Sequence, residues 1–390
     1  MNTQIAEAPQ GTTGMIIVDA DAHVNPPYEM WEQYLPAPLK EFAPRVEHGD
    51  EFDYVVFEGQ RRKVNLIGAQ AGRAGKDFKV EGRVSDVREG GWMPKARIED
   101  MDQDGMDIAV LFGGGPLGTG NQDLYVASFD AYNRWLAEFC AHDAKRFAGV
   151  GYVPMRDVET AIRMVKEFPR LGLKAVNIPA FPMGTNTMNI NSSNAQTLAL
   201  TGDVNGERSY ADPEFDPFWR TVCDLGLPVT IHLGGRAVRF KEPKWFLSDL
   251  LMSKFGMAEP LAIMTFGGVF QRFPDLKIVS VESGVGWFAF AANYMDETWH
   301  KQRYWTNSQL EHEPSYFWER NVYGSFIHDR VGILTRELPG AGNIMWSSDY
   351  PHSETTYPDS LAKIEELFAG VPAEDKRQIL GERARKLYNI

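Results

Sequence analysis

The sequence predicts an eight-stranded parallel α/β barrel with inserted loops, the (β/α)8 or TIM-barrel fold. Eight apolar runs bounded by Gly, Pro or charged residues recur along the 390 residues. The runs lack the alternation of a half-exposed strand, which indicates strands buried on both faces of a parallel sheet. Helical patterns separate the runs, and a barrel domain accommodates a chain of this length once insertions are counted.

Each predicted strand has an apolar centre and ends in polar residues, glycine or proline. In chain order they are MIIVDADAH (15–23), DIAVLF (107–112), FAGVGYVP (147–154), LKAVNIP (173–179), LPVTIHL (227–233), LKIVSVES (276–283), VYGSF (322–326) and IMWSSDYP (344–351). The helical segments between them include ARIEDMDQDG (96–105), which ends in a glycine stop, SFDAYNRWLAEFCAHDAKR (128–146), and DVETAIRMVKEFPRLG (157–172), which opens with an aspartate cap.

We interpret residues 1–14 as a disordered tail and residues 15–390 as one barrel domain. The first strand is followed by an insertion at about 40–95, in which YVVFEGQRRKVNLIG alternates and predicts a hairpin that turns near Glu58 and Gly59. Further inserted loops at 180–212 and 234–262 also follow strand ends. All three are predicted to crowd one rim of the barrel, where they would act as lid and specificity loops.

Composition narrows the possible partners. The formal charge of -13 disfavours binding to nucleic acid or to an anionic membrane, because an acidic surface is repelled by both. The two cysteines, Cys140 and Cys223, form no C-x-x-C motif, and the N-terminus lacks the pattern of a secretory signal. We therefore expect a cytoplasmic protein that acts on a small molecule, and, by analogy with other barrels, a homodimer or a higher homo-oligomer.

Polar residues at three strand ends predict a metal site. Asp21 and His23 are two residues apart on the first strand, so their side chains point to the same side. His232 and Asp349 end the fifth and eighth predicted strands. Taken singly, each residue has a structural explanation as a core, capping or turn residue. Together they offer oxygen and nitrogen ligands for a divalent ion at one rim of the barrel.

The order of motifs resembles the amidohydrolase-related family. The pieces that carry the resemblance are DADAH, ARIEDMDQDGMD, RFAGVGYVP, the IH of the fifth strand, PDLKIV with a following SG, and SSDYPH, which together span about residues 15–390. The resemblance implies a divalent metal at the C-terminal end of the barrel. Asp21 and His23 would replace the family's first-strand pair, His232 would be the fifth-strand ligand, and Asp349 the eighth-strand ligand or the base that deprotonates metal-bound water.

Glu282 departs from the family pattern, which has a histidine after the sixth strand. It is interpreted as a general acid or base, as an additional metal ligand, or as a buried carboxylate paired with Arg or Trp. A carboxylate near the ion suits the activation of water, so we expect a metal-dependent hydrolase of a hydrophobic or aromatic substrate that carries a carboxylate. The alternatives are a nonoxidative decarboxylase of an aromatic or muconate-type acid and a barrel that only binds a small molecule.

The sequence also suggests which metal ions the site would bind and which side chains would contact the substrate. Mixed nitrogen and oxygen ligation suits zinc, manganese or iron. We expect zinc, with manganese or iron as alternatives, and one or two ions. Side chains near the predicted strand ends are candidates for binding substrate, although loop exposure or core packing would also explain them. They are Asn177, Arg236, Arg239, Trp287, His328 and His352.

Overall fold

A computed structural model describes residues 14–182, 208–233 and 243–390. Its main sheet has eight parallel strands, and each strand pairs with the next barrel strand along the chain. The strands, numbered 1 to 8 below, are Val18–Val24, Ile108–Gly113, Phe147–Tyr152, Ala175–Ile178, Val229–His232, Ile278–Val281, Val322–Phe326 and Ile344–Trp346. All eight overlap the predicted apolar runs, so the predicted (β/α)8 barrel is confirmed.

The barrel closes through the segment that follows strand 8. The amide of Asp349 donates to the carbonyl of Asp21 at 3.0 Å, and the amide of His23 donates to the carbonyl of Tyr350 at 2.5 Å. The amide of Ser348 donates to the side chain of Asp19 at 2.8 Å. Closure therefore brings DADAH and SSDYPH, which are far apart in sequence, to the same rim.

Helices form the layer outside the strands. The α-helices are Glu29–Tyr34, Pro94–Asp104, Gln122–Ala141, Val158–Val165, Phe168–Leu171, Asp216–Asp224, Phe246–Phe255, Ala258–Phe266, Val269–Arg272, Phe288–Gln302, Pro314–Asn321, Arg330–Thr335, Ser360–Leu367, Ala373–Arg377 and Arg383–Tyr388, with a π-helical turn at Gln378–Glu382. Short 3-10 helices lie at Ala37–Phe42, Gly75–Asp77, Val84–Asp86, Glu89–Gly91, Pro213–Phe215 and Pro243–Trp245. Within the described ranges, no helix is long and apolar enough to cross a membrane.

Local sequence signals explain where several elements begin and end. The side chain of Asp157 accepts hydrogen bonds from the amides of Glu159 and Thr160, as expected of an N-cap. Gly105 ends the helix Pro94–Asp104 in the left-handed conformation, with φ 77°. The predicted hairpin turns at Glu58 and Gly59, and its strands belong to a four-stranded antiparallel sheet formed by Arg45–Glu47, Tyr54–Phe57, Gln60–Asn65 and Glu81–Gly82.

A bulge in strand 1 decides which of its side chains enter the barrel. Val18 and Ala20 pack in the same apolar cluster as Val110 and Met345 of other strands, whereas Ala22 packs in the outer layer with the helices. The register of strand 1 against strand 2 shifts between Asp19 and Ala22. A bulge reverses the facing of the residues that follow it, and Asp21 and His23 consequently point into the barrel.

The insertion after strand 1 reaches the rim of the barrel. The amide of Ser353, just after the closing segment, donates to the carbonyl of Ile67 at 3.0 Å. The side chain of Asn25 donates to the carbonyl of Gly68, also at 3.0 Å. A Cβ atom on Gly68 would lie 3.0 Å from the ring of His352. The insertion thus packs directly against the C-terminal ends of the strands, as predicted for a rim loop.

Candidate metal centre

Five predicted site residues meet at the C-terminal ends of the strands. Asp21 and His23 lie on strand 1, His232 is the last residue of strand 5, and Glu282 and Asp349 directly follow strands 6 and 8. Four of them are buried, and His232 is the more accessible member, with 14% of its side chain exposed. The barrel topology therefore assembles side chains from distant parts of the sequence into one cluster.

An unusual backbone conformation aims the two carboxylates that follow strands 6 and 8. Glu282 has φ 58° and Asp349 has φ 60°, both in the left-handed region. Leu233, directly after His232, has φ 33°. This conformation costs a non-glycine residue about 1–2 kcal/mol, and such strain is concentrated at functional sites. The turn at each strand end is thus maintained against its own backbone preference.

Three potential ligand atoms surround the Nε2 atom of His23. Oδ1 of Asp349 lies 3.1 Å away, and both Oδ1 of Asp21 and Nε2 of His232 lie 3.3 Å away. One imidazole nitrogen has at most one proton to donate, so it cannot satisfy all three neighbours by hydrogen bonding. None of the described residues donates a well-aligned hydrogen bond to the carboxylate oxygens of Asp21 or Asp349.

The electrostatics of the cluster require positive charge among these atoms. Burial alone would raise the pKa of Asp21, but His232 and His23 outweigh it and hold that pKa well below its usual value. Burial alone would lower the pKa of His23, yet Asp21 and Asp349 raise it to about 10. Burial and the charge of Asp349 raise the pKa of Glu282.

The same atoms fit a divalent cation. Asp21, His23, His232 and Glu282 each offer one atom within 4.8 Å of the others, and so do His23, Glu282, Asp349 and His352. A cation would replace the charge of a protonated imidazole and leave the nitrogen lone pair free to bind it. Buried carboxylate oxygens that lack hydrogen-bond donors are also the atoms a metal would satisfy. The cluster therefore has the chemistry and the spacing of a mixed nitrogen and oxygen metal site.

Arg97 of the ARIEDMDQDG helix supports the site from the outer side. Its Nη1 atom donates to the carbonyl of His23 at 2.8 Å and to that of Gly90 at 3.3 Å. Its guanidinium lies 4.2 Å from the ring centre of Tyr350, next to Asp349. The hydroxyl of Tyr350 donates to Asp100 of the same helix. This helix thus contacts two of the segments that carry candidate ligands, strand 1 and the segment after strand 8.

Lys254 is a site residue that sequence reasoning missed. It lies on the helix Phe246–Phe255 in the segment after strand 5, and its Nζ atom is 2.9 Å from Oε1 of Glu282 and 3.1 Å from Oε2 of Glu354. No motif spacing marked it. The only signal in the sequence was a lysine inside an inserted rim loop. Among the residues that the structure describes, the group that donates to Oε1 of Glu282 is the lysine, rather than the arginine or tryptophan that the sequence suggested as a possible partner.

The predicted substrate-binding residues occupy different environments. His352 borders the cluster, since its Nδ1 atom lies 2.9 Å from Oδ1 of Asp349 and its ring stacks on His23 at 3.8 Å. Asn177 is buried and accepts a hydrogen bond from Thr230 at 2.9 Å. Trp287 packs against Phe288 and Trp318 and donates a hydrogen bond to the carbonyl of Ser283. His328 is exposed in the segment after strand 7. Arg236 and Arg239 lie outside the described residues.

Comparison with known proteins places the chain in a family. A family model described as amidohydrolase matches residues 18–390. The chain belongs to the amidohydrolase family. The resemblance seen in the sequence motifs is therefore confirmed, and so is the assignment to an enzyme superfamily whose barrels hold a divalent metal.

Curated relatives indicate the kind of reaction found in this part of the amidohydrolase family. A 2-amino-3-carboxymuconate-6-semialdehyde decarboxylase of Dictyostelium discoideum is 25% identical over 268 residues, 67% of each chain. A gamma-resorcylate decarboxylase of Polaromonas sp. strain JS666 is 24% identical over 298 residues, 71% of this chain and 81% of the relative.

Solved structures share the fold. The 5-carboxyvanillate decarboxylase of Novosphingobium aromaticivorans, complexed with manganese and 4-hydroxy-3-methoxy-5-nitrobenzoic acid, superposes with a TM-score of 0.67. It is 18% identical, and the match covers 100% of both chains. This similarity confirms the fold of the whole amidohydrolase barrel.

The expectation of hydrolysis is wrong. It depended on Glu282 as a carboxylate available to activate water, but Oε1 of Glu282 is bonded to Lys254. The two curated relatives described above are both decarboxylases, the alternative that the sequence left open. The preference for zinc, the number of ions, the roles of the individual site residues and the homo-oligomeric state stay predictions.

Proposed function

We propose that this amidohydrolase is a metal-dependent, nonoxidative decarboxylase of an aromatic carboxylic acid. The observation that carries the proposal is the convergence of two imidazoles and two buried carboxylates around Nε2 of His23, where hydrogen bonds cannot satisfy all the atoms. The decarboxylase activity of the relatives supports the reaction type.

Asp21, His23, His232 and Asp349 would hold the metal, with Glu282 beside them. Manganese is the ion we favour, because solved structures of this fold contain it and because mixed nitrogen and oxygen ligands suit it. When bound, a divalent ion would supply Lewis-acid chemistry, holding and polarising the anionic end of the substrate. The contribution of the protein is to orient these side chains and to exclude water from a buried site.

The reaction needs one proton and no oxidant. The bond between the ring carbon and the carboxyl carbon breaks, its electron pair stays on the ring carbon, CO2 leaves, and a proton adds to the ring carbon. Asp349 is the carboxylate best placed to deliver that proton, because Nδ1 of His352 lies 2.9 Å from its Oδ1 atom. The side chain of His352 is 27% exposed, whereas that of Asp349 is 1% exposed. His352 therefore connects the buried carboxylate to solvent protons.

A deuterium-labelling experiment tests this function. The Mn2+-loaded protein would be incubated in D2O with a set of acids that includes resorcylates, carboxyvanillate and hydroxybenzoates, and headspace CO2 and product mass would be measured. We expect one acid to release CO2 and to gain one deuterium at the vacated ring carbon. Anaerobic conditions should leave the rate unchanged. A requirement for oxygen, or a product that retains the carboxyl carbon, would contradict nonoxidative decarboxylation.

A further inference from the structure

The ammonium group of Lys254 lies between two carboxylates at the edge of the metal centre. Its Nζ atom is within 3.1 Å of both Glu282 and Glu354, and 22% of its side chain is exposed. Glu282 follows strand 6, Glu354 lies in the segment after strand 8, and Lys254 comes from the segment after strand 5. One lysine thus connects three separate parts of the rim.

Glu282 divides its two oxygen atoms between two positively charged environments. Its Oε2 atom faces Nε2 of His232 at 3.5 Å, on the side of the other candidate ligands. Its Oε1 atom accepts the hydrogen bond of Lys254 at 2.9 Å. A carboxylate can bridge two metal ions by offering one oxygen to each. Here the second oxygen is already occupied by an ammonium group, which binds carboxylates as a compact point charge.

We propose that Lys254 is a positioning residue that restricts the metal centre to one divalent ion. The ammonium group holds the outer oxygen of Glu282, turns the inner oxygen toward His232, and takes the second carboxylate, Glu354, that an additional ion would need. The inference rests on the proposed metal-dependent function. It adds that a residue of this chain, Lys254, limits the centre to a single ion.

Coulomb's law gives the proposal its physical basis. Two carboxylates within hydrogen-bond distance of one nitrogen attract any cation, and the covalently attached ammonium is already in place at no cost in translational entropy. A second divalent ion would have to displace it and leave a partly buried ammonium without its two carboxylate partners, which is unfavourable. Removal of the ammonium leaves two carboxylates free to bind an ion.

Metal stoichiometry tests the proposal without depending on catalytic activity. The protein and its variants would be dialysed against increasing MnCl2, and bound manganese would be counted by elemental analysis. We expect about one ion per chain in the wild type and in Lys254→Arg, which keeps the cation, and close to two in Lys254→Met. In the double variant Lys254→Met with Glu354→Gln, the count should return to about one, since one of the two carboxylates is gone.

Lys277→Met is the matched control, because Lys277 precedes the same barrel strand that Glu282 follows and donates to the carbonyl of Arg320 at 2.8 Å. It should bind the wild-type number of ions. Lys254→Gln replaces Lys254→Met if the latter does not fold, as judged by circular dichroism. A Lys254→Met or Lys254→Gln variant that folds and binds one ion with wild-type affinity would overturn this proposal alone, whereas a wild type that binds no ion would overturn the metal-dependent function as well.

Discussion

The Nε2 atom of His23 lies 3.1 Å from Oδ1 of Asp349, so the candidate metal centre spans the closure of the barrel. His23 belongs to strand 1, and Asp349 follows strand 8. The same two segments are joined by backbone hydrogen bonds, among them the one from the amide of His23 to the carbonyl of Tyr350. Two of the candidate metal ligands therefore lie on the same two segments whose backbone hydrogen bonds close the barrel.

Removal of one imidazole should weaken metal binding strongly. We expect His23→Ala to lower the affinity for Mn2+ by more than about 100-fold, since loss of even an outer partner of a ligand often costs 10–100-fold. The control is His300→Ala, because His300 is half exposed and pairs with Glu313 at 2.7 Å on the outer helix layer. Titration calorimetry compares the two variants with the wild type. Equal affinities for all three proteins would count against His23 as a ligand.

Metal should stabilise the folded protein, because the ligand atoms come together only when the barrel is closed. An ion present at 100 times its dissociation constant adds about 2.7 kcal/mol to the free energy of unfolding. We expect Mn2+ to raise the melting temperature and EDTA to reverse the rise. Differential scanning calorimetry at matched pH measures the melting temperature with Mn2+, and again after EDTA is added. A melting temperature that does not respond to Mn2+ would be inconsistent with a metal centre at this position.

The helix that carries Arg97 depends on its glycine stop. Gly105 has φ 77°, and a Cβ atom there would lie 2.6 Å from Cδ1 of Leu361, whereas Gly172, with φ 74° after the helix Phe168–Leu171, has nothing within 4 Å. Gly172→Ala should cost about 1–2 kcal/mol of folding free energy from the left-handed backbone alone. Gly105→Ala should cost a further 1–3 kcal/mol, approximately, from overpacking. Urea denaturation measures the free energy of unfolding of both variants. Equal losses of stability in Gly105→Ala and Gly172→Ala would refute the steric contribution of Leu361.

Asp104 should make the stability of the protein depend on pH. Burial raises its pKa from the ordinary 3.8 to about 6, against the opposing hydrogen bonds from Ser360. The folded state therefore holds this proton longer than the unfolded state does. Stability is highest below the unfolded pKa and falls as pH rises through the folded pKa, by up to about 3 kcal/mol.

Replacement of Asp104 by asparagine removes the ionisable group and keeps the shape of the side chain. Asp104→Asn retains an oxygen to accept the hydrogen bond from the amide of Ser360, which is 3.0 Å long in the structure. We expect the stability of the variant relative to the wild type to increase as pH rises from about 4 to about 6, the interval between the unfolded and folded pKa values of Asp104. Urea denaturation at several pH values measures the difference. The explanation fails if that difference is the same at every pH.

Much of the fold follows from local sequence patterns. Eight apolar runs, the aspartate cap at Asp157, the stop at Gly105 and the turn at Glu58 and Gly59 all depend on neighbouring residues, and the structure contains each of them. The approach of Asp21, His23, His232, Glu282 and Asp349 to one another follows from parallel strands whose C-terminal ends share one rim.

Other features depend on tertiary contacts that local patterns do not encode. Strict alternation alone would put Ala20 and Asp21 on opposite faces, and the bulge in strand 1 is what lets both enter the barrel. Lys254 reaches Glu282 from an inserted helix with no recognisable motif. Without that contact, the sequence left Glu282 open as an acid or base, an additional metal ligand or a paired carboxylate, and the expectation of hydrolysis followed from placing a carboxylate near the ion.

Release of CO2 from an aromatic carboxylic acid tests the central claim most directly. It would be measured with the metal-free protein, the Mn2+-loaded protein and the Mn2+-treated Asp349→Asn variant, which keeps the size of the side chain but cannot hold a transferable carboxyl proton. We predict CO2 from the loaded wild type only. Equal release by the metal-free protein or by the variant, or no release from any aromatic acid, would contradict a metal-dependent decarboxylase that works through Asp349.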